Sequence, residues 1–533
     1  VRLEFRTFAA RRMTLFSFIR RLANFFGATF ALVFAWKIIL LVFTAQPIPA
    51  NDAFFYDGPV VNFLLNGHYC NPSIVMGLPF SATQIFSAYP PVYQAALLPW
   101  MFVFGTSALS AIWFHSVLFG FYLLTLLAIF RRLQTPAWCV NLAGLFLFSL
   151  TFNDRPDALA QLFGMLAVYA WVRSLAPVKS PGKWSWLATL LVVLALWTDP
   201  EIGGIYFGCL WLLTLGAVWQ RKQTFPAWPM LALVVLPPVL VAAVKFGRPD
   251  WWSGFLEHAL QTPSLSTWHL PRRDDILKII RAIPGILAVA VILLARARRK
   301  QFDDDVETHF TPLALMSVAL FLSLSLMLGC LLVFTADWIW IANYFQPLVV
   351  GFFFALENRI EINAQPKRCL LMLFVALALL GSIRAIGMST WGVACAADKN
   401  YSGAIQIVRA NLDQTALGST VVMSSAFLYE AMRHPQIRTL HEDWLHRADD
   451  RRADMNGDTR ALLTIKPREL ILTQYDFYRR FEKPIAELQV QPEIVAVKIT
   501  NTAKIPSPDS IHSMQRVVQH ISWAPIIVEL DWK

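Results

Sequence analysis

The chain has 533 residues, of which 56% are apolar and 15% charged, against about 25% charged in an ordinary soluble domain. That balance excludes a soluble single-domain enzyme and leaves room for ten or so membrane crossings, since each helix needs ~20 apolar residues to cross ~30 Å of hydrocarbon. The net charge of +11 does not point to nucleic acid, because the basic residues collect between the apolar runs rather than in one patch.

The first apolar run, about residues 24–44, follows Arg11, Arg12, Arg20 and Arg21 and ends without a small-residue cleavage site, so it reads as an uncleaved first span. Further runs near 107–130, 137–152, 157–174, 184–198, 201–219, 227–245, 279–295, 312–335, 339–357 and 369–390 bring the expectation to about eleven spans. Lys and Arg fall in alternate connections, for example Arg131–Arg132, Arg221–Lys222 and Arg296–Lys300, and are absent from 46–106. Cytoplasmic loops hold the basic excess, so the pattern predicts a multi-pass inner (cell) membrane protein with a cytoplasmic N-terminus and an extracytoplasmic C-terminus. One stretch, 245–281, breaks it: Trp251, Trp252, His258, Trp268, His269, Arg272 and Arg273 mix rings with cations there. Such a segment is either an interfacial anchor or a contact for an anionic lipid headgroup.

From about residue 392 polar residues interleave with short β-type runs at Ser419–Ser424, Glu469–Thr473, Glu493–Ile499 and Ile526–Leu530, with helical stretches at Phe427–Arg433 and Phe477–Leu488. The expected fold is therefore a polytopic α-helical membrane domain, 1–391, followed by a small extracytoplasmic α/β domain, 392–533. The six cysteines stand far apart, with no C-x-x-C and no zinc spacing, and read as small core residues.

Chemistry is concentrated in the predicted outer segments. Asn51-Asp52-Ala53-Phe54-Phe55-Tyr56-Asp57 follows the first span in a loop without basic residues, where desolvation would raise a carboxyl pKa and make a base of it. Asp52 and Asp57 can equally be a helix cap and a turn residue. Asn153-Asp154-Arg155-Pro156-Asp157 places Pro156 in the first turn of a helix and Asp157 where the dipole favours an acid. Arg155 between two acids suits either bidentate phosphate binding or a local ion pair. Trp197-Thr198-Asp199-Pro200-Glu201 adds two more carboxylates at a span end. Oxygen ligands of this kind suit a hard divalent ion such as Mg²⁺ or Mn²⁺, but no spacing is a metal motif, so the metal stays open.

Asp52 after the first span, Tyr89-Pro90-Pro91-Val92-Tyr93, Arg155-Pro156-Asp157 and Asn343-Tyr344-Phe345-x-Pro347, in this order and sidedness, resemble the C-type glycosyltransferase superfamily over roughly residues 20–390. Within it, the chain resembles the bacterial members related to protein mannosyltransferases and lipid A aminoarabinose transferases. The resemblance implies a sugar moved from a polyprenyl-phosphate donor to a lipid, glycan or protein acceptor at the outer membrane face. It implies Asp52 as general base or acceptor-orienting group, with Asp57, Asp154, Asp157 and Tyr89 supporting the acceptor or a metal. The chain departs from the family where Asn51 replaces one acid of the usual first-loop pair and Asp199 replaces a basic residue often found at the third outer turn. The donor phosphate then falls to Arg155 or to Arg272 and Arg273.

Two other readings follow from the same residues. A transporter or lipid flippase with an accessory outer domain would carry charges at mid-span, whereas here only Lys37 and Arg384 stand there. A non-catalytic assembly protein would work through its outer α/β domain alone.

Overall fold

The computed structural model describes residues 25–46, 48–49, 53–71, 73, 91–149, 155–174, 181–219, part of 372–390, 401–442, 456–502 and 522–533. The expected spans at 227–245, 279–295, 312–335 and 339–357 lie outside the described residues. Among the described residues, eight helices precede them: α1 (Ala28–Thr44), α2 (Ala53–Asn66), α3 (Val92–Phe104), α4 (Ala108–Arg132), α5 (Ala137–Phe146), α6 (Asp157–Ser174), α7 (Pro181–Leu196) and α8 (Pro200–Trp219). Among the described residues α4 alone is both long and apolar enough to cross a membrane unaided; α1, α3, α5 and α7 are shorter apolar helices.

Two expectations need correction. The segment 46–106 is not a plain loop, because it folds into α2 and α3, with Pro59 and Pro99 inside them. Most of α2 is buried although it carries Asp57, Gly58, Pro59 and Asn62. Those polar and helix-disfavouring residues mask the apolar period in the sequence, and burial against neighbours supplies the stability that propensity does not. The 137–152 run is shorter than expected: α5 stops at Phe146 and a 3₁₀ turn covers Leu147–Ser149.

The helices lean on one another through polar seams as well as apolar faces. Thr29 of α1 donates to the Asn141 carbonyl of α5 at 2.8 Å, and Asn141 Nδ2 donates to the Phe25 carbonyl at 2.9 Å, satisfying groups at the start of α1. The mid-span Lys37 lies over the Phe119 ring at 5.8 Å, a desolvated setting in which a cation–π contact offsets part of the cost of burying charge. Ser107 caps α4 by accepting from Ser110 N–H at 3.1 Å.

Beyond the bundle, α9 (Tyr401–Gln414) precedes a sheet built from β1 (Thr420–Met423), β2 (Arg438–His441), β3 (Glu469–Leu472), β4 (Ile494–Asn501) and β5 (Ile526–Trp532), with α10 (Ser425–Ala431), α11 (Asn456–Ile465) and α12 (Glu482–Leu488) between strands. Strand order is β2-β1-β3-β5-β4, parallel across β2, β1 and β3 and antiparallel at β5 and β4. Alternation divides the sheet's two faces. Val422, Leu470, Leu472 and Val528 join α11 and α12 in one core, while Val421, Met423 and Ile471 belong to the core that continues into the helical bundle. The expected helix Phe427–Arg433 begins two residues earlier as α10. The expected Phe477–Leu488 helix is interrupted by a π-helical turn over Phe477–Phe481 before α12.

The sheet domain docks at one end of the bundle. Trp523 Nε1 donates to the Thr44 carbonyl closing α1 at 3.2 Å, Arg433 Nη2 donates to the Thr106 carbonyl just before α4 at 3.2 Å, and His441 N–H donates to the Ser73 carbonyl at 3.0 Å. Trp197, at the end of α7, accepts from Val92 N–H at 3.4 Å. The C-terminal end of α1, all of α2, and the N-terminal ends of α3, α4, α6 and α8 thus gather beside the sheet domain.

Candidate functional site

Two groups of carboxyls occupy this end of the bundle. The first centres on Asp57 in α2, which is fully buried and therefore not the turn residue the sequence allowed. Its Oδ1 accepts from the Tyr93 hydroxyl of α3 at 2.7 Å and its Oδ2 from the Tyr429 hydroxyl of α10 at 2.6 Å. Tyr93 Oη also lies 3.0 Å from His115 Nε2 of α4. Burial pushes Asp57 up to about 7, against the opposing pull of the Tyr429 and Tyr93 hydroxyls. The close fit depends on the next residue. A Cβ on Gly58 would stand 2.5 Å from Asn71 Nδ2, and that amide is engaged, donating to the Phe54 carbonyl at 3.0 Å.

The second group joins α2 to α6 and α8. Arg155 Nε stands 3.6 Å from Asp157 Oδ1, and the Arg155 side chain keeps 20% exposure against 1% for Asp157. Arg155 Nη2 donates to the Tyr56 hydroxyl at 3.5 Å, and the guanidinium lies 5.7 Å from the centre of the same ring. Asp199 is fully buried. Its Oδ1 accepts from Glu201 N–H at 2.9 Å and Ile202 N–H at 3.1 Å, capping α8. Burial, then the charge of Asp157 and a hydrogen bond to it, hold the Asp199 carboxyl well above the usual range, against smaller pulls from Ile202 N–H and Arg155.

Chemically, the second group offers a partly exposed guanidinium held by a carboxylate and a phenol, a setting suited to oxyanions. It does not suit a divalent cation, because the Arg155 cation already lies against Asp157. Among the described residues no cluster of three or more His, Cys, Asp or Glu is placed to hold a metal.

Of the sequence-chosen residues, Arg155 and Asp157 stand together and reach α2 through Tyr56, while Asp57 lies in its own buried knot. Asp52, Tyr89, Asp154, Arg272 and Arg273 lie outside the described residues. The sequence reading passed over Tyr93 as a partner of Asp57, and His115, Tyr429 and Ser425 altogether. His115 alone left a signal, a titratable group inside the apolar run of α4. A cleft of about 710 Å³ opens at the far end of α2, between Asn66, His68, Tyr69 and the α10–β2 connection at His434 and Arg438. None of the acids above lines it.

No family model and no curated protein matches the chain. Among solved structures, it is similar to ArnT from Cupriavidus metallidurans, solved bound to undecaprenyl phosphate, at a TM-score of 0.51 and 11% identity, over 94% of this chain and 98% of that one. It also aligns with the archaeal oligosaccharyltransferase AglB from Archaeoglobus fulgidus, at a TM-score of 0.44 and 9% identity, over 86% of this chain and 70% of that one. The likeness to ArnT spans both regions, so the chain has the C-type glycosyltransferase fold: a helical bundle carrying a C-terminal sheet domain.

Proposed function

We propose that this protein is a membrane glycosyltransferase that moves a sugar from a polyprenyl-phosphate donor to a lipid, glycan or protein acceptor at the extracytoplasmic face. The observation that carries the reading is the Tyr56–Arg155–Asp157–Asp199 cluster, set at the end of the bundle where α2 begins directly after Asp52. The fold and the bound undecaprenyl phosphate of ArnT support the same class of donor. In this reading the chain crosses the membrane about eleven times, residues 1–391 form the membrane domain, and 392–533 lie outside with the C-terminus.

A polyprenyl chain stays dissolved in the bilayer while its phosphosugar head reaches the rim of the bundle. An acceptor oxygen or nitrogen attacks the anomeric carbon, the bond to the phosphate oxygen breaks, and polyprenyl phosphate leaves with the electron pair. Asp52 takes the acceptor's proton. Arg155, with Arg272 and Arg273 from the basic outer stretch, stabilises the charge developing on phosphate. Asp157 keeps the guanidinium oriented, Asp154 and Tyr89 line the acceptor side, and Asp57, expected from the sequence to join them, is instead buried between two phenols where it holds α2.

Purified protein in lipid nanodiscs, incubated with a panel of labelled polyprenyl-phosphate sugars with and without chelator, tests the proposal. Transfer or hydrolysis of one donor, lost by about a thousandfold or more in Asp52→Asn with folding retained, supports it. Near-wild-type turnover in that variant overturns the role of Asp52. Solute or carrier movement in liposomes with no sugar released from any donor returns the transporter reading.

A further inference from the structure

We infer that the C-terminal sheet domain is a clamp for the helix next to the reacting carboxylate, with Ser425 and Tyr429 as positioning residues. The inference rests on the reading of Asp52 as general base and deepens it. Phe54 occupies the first turn of α2, and its N–H donates to Ser425 Oγ at 2.9 Å across 371 residues of sequence. N–H groups in a helix's first turn have no partner within the helix and are normally taken by the preceding Ser, Thr, Asp or Asn side chain. At α2 that preceding residue is Asp52. The partner for Phe54 N–H is instead imported from α10, so the helix start does not call on the Asp52 carboxylate for this bond.

One turn further on, Tyr429 of the same short helix donates to Asp57 at 2.6 Å, and its ring packs edge-on against Phe54 with centroids 5.0 Å apart. At the far end of α2, Asn66 Nδ2 donates to the Met432 carbonyl at 3.2 Å. Three bonds from one segment, 425–432, therefore fix the start, middle and end of α2. The contacts at Thr44, Ser73 and Thr106 hold the chain on either side of it. A helix with two hydrogen-bonded ends and a buried middle has one position relative to its neighbours. Misplacement by about 1 Å at a reacting group can cost a hundredfold in rate.

The test compares Ser425→Ala and Tyr429→Phe with Ser424→Ala. Ser424 is equally buried, but its hydroxyl bonds within the sheet domain, to Asp476 Oδ2 at 2.6 Å and from Thr473 N–H at 2.9 Å. Ser425→Ala and Tyr429→Phe should each speed hydrogen exchange across 53–57 by about tenfold or more, and Ser424→Ala should not. On the donor that wild type uses, kcat per folded molecule should fall about tenfold in the first two with KM for the donor within about twofold, while Ser424→Ala keeps wild-type kcat. Unchanged exchange in α2 in both variants, or equal loss of kcat in all three, overturns the clamp. Wild-type protein that transfers no sugar overturns the functional reading instead, and the clamp then stands or falls on exchange alone.

Discussion

Asp57 and Asp199 are both fully buried carboxyls, yet they are accommodated by opposite means. Asp57 has two neutral phenols, one from the bundle and one from the sheet domain. Asp199 has two backbone N–H groups of its own helix and shares its site with Asp157 and Arg155. Neutral donors tie regions of the chain together and leave little field behind. A charged triad leaves a cation at its edge that can meet a ligand. Burial of an acid by itself therefore does not mark a reactive site; the partners decide which work it does.

The largest expected effect comes from removing the cation. Arg155→Gln should lower transfer by about a hundredfold or more, the loss typical of one donor to developing oxyanion charge, while exchange at α2 stays near wild type. A matching loss of α2 protection would merge the two groups into one unit.

Next is Asp57→Ala, which takes the carboxyl away from the buried Tyr93 and Tyr429 hydroxyls while Tyr93 Oη keeps His115 Nε2 at 3.0 Å. It should cost about 1–3 kcal/mol, read as a lowered melting temperature in detergent.

Asp57→Asn sharpens the contrast through pH. The native state keeps the Asp57 proton up to about 7, whereas the unfolded chain gives it up near its ordinary value of 3.8. Between those limits the native state binds more protons, so wild-type stability falls as pH rises and levels off above 7. Melting temperatures taken from pH 5 to pH 8 should fall less steeply in Asp57→Asn.

Asp199→Asn has the smallest effect. Asn caps helices about as well as Asp and cannot repel Asp157. The raised Asp199 gives wild type a stability loss of the same sign as pH rises. The variant should match or exceed wild-type stability by about 1 kcal/mol at pH 8. A clear loss there would mean that Asp199 acts as an anion.

Much of the helical framework was legible because long apolar runs carry their own signal: α4, α6 and α8 lie within two residues of their expected bounds. The strands β1, β3, β4 and β5 were legible for the same reason, as short β-branched runs between turn residues. β2 was missed, since Arg438-Thr439-Leu440-His441 offers one aliphatic residue in four. α2 was missed because Asp57, Gly58, Pro59 and Asn62 mask its apolar period, and part of what holds it lies 371 residues away at Ser425, which no local period reports. The site divides likewise. Arg155 and Asp157 are neighbours in sequence and were found together. The Asp57 partners Tyr93, His115 and Tyr429 sit on three different helices, where only topology brings them to one place.

The bond from Trp523 to the last carbonyl of α1 spans 479 residues, and it sets an order of events during synthesis. A ribosome delivers Thr44 well before the residue that seals it, which follows 479 residues later. Until then this contact between α1 and the sheet domain cannot form, so the docking of the two regions is completed late in synthesis.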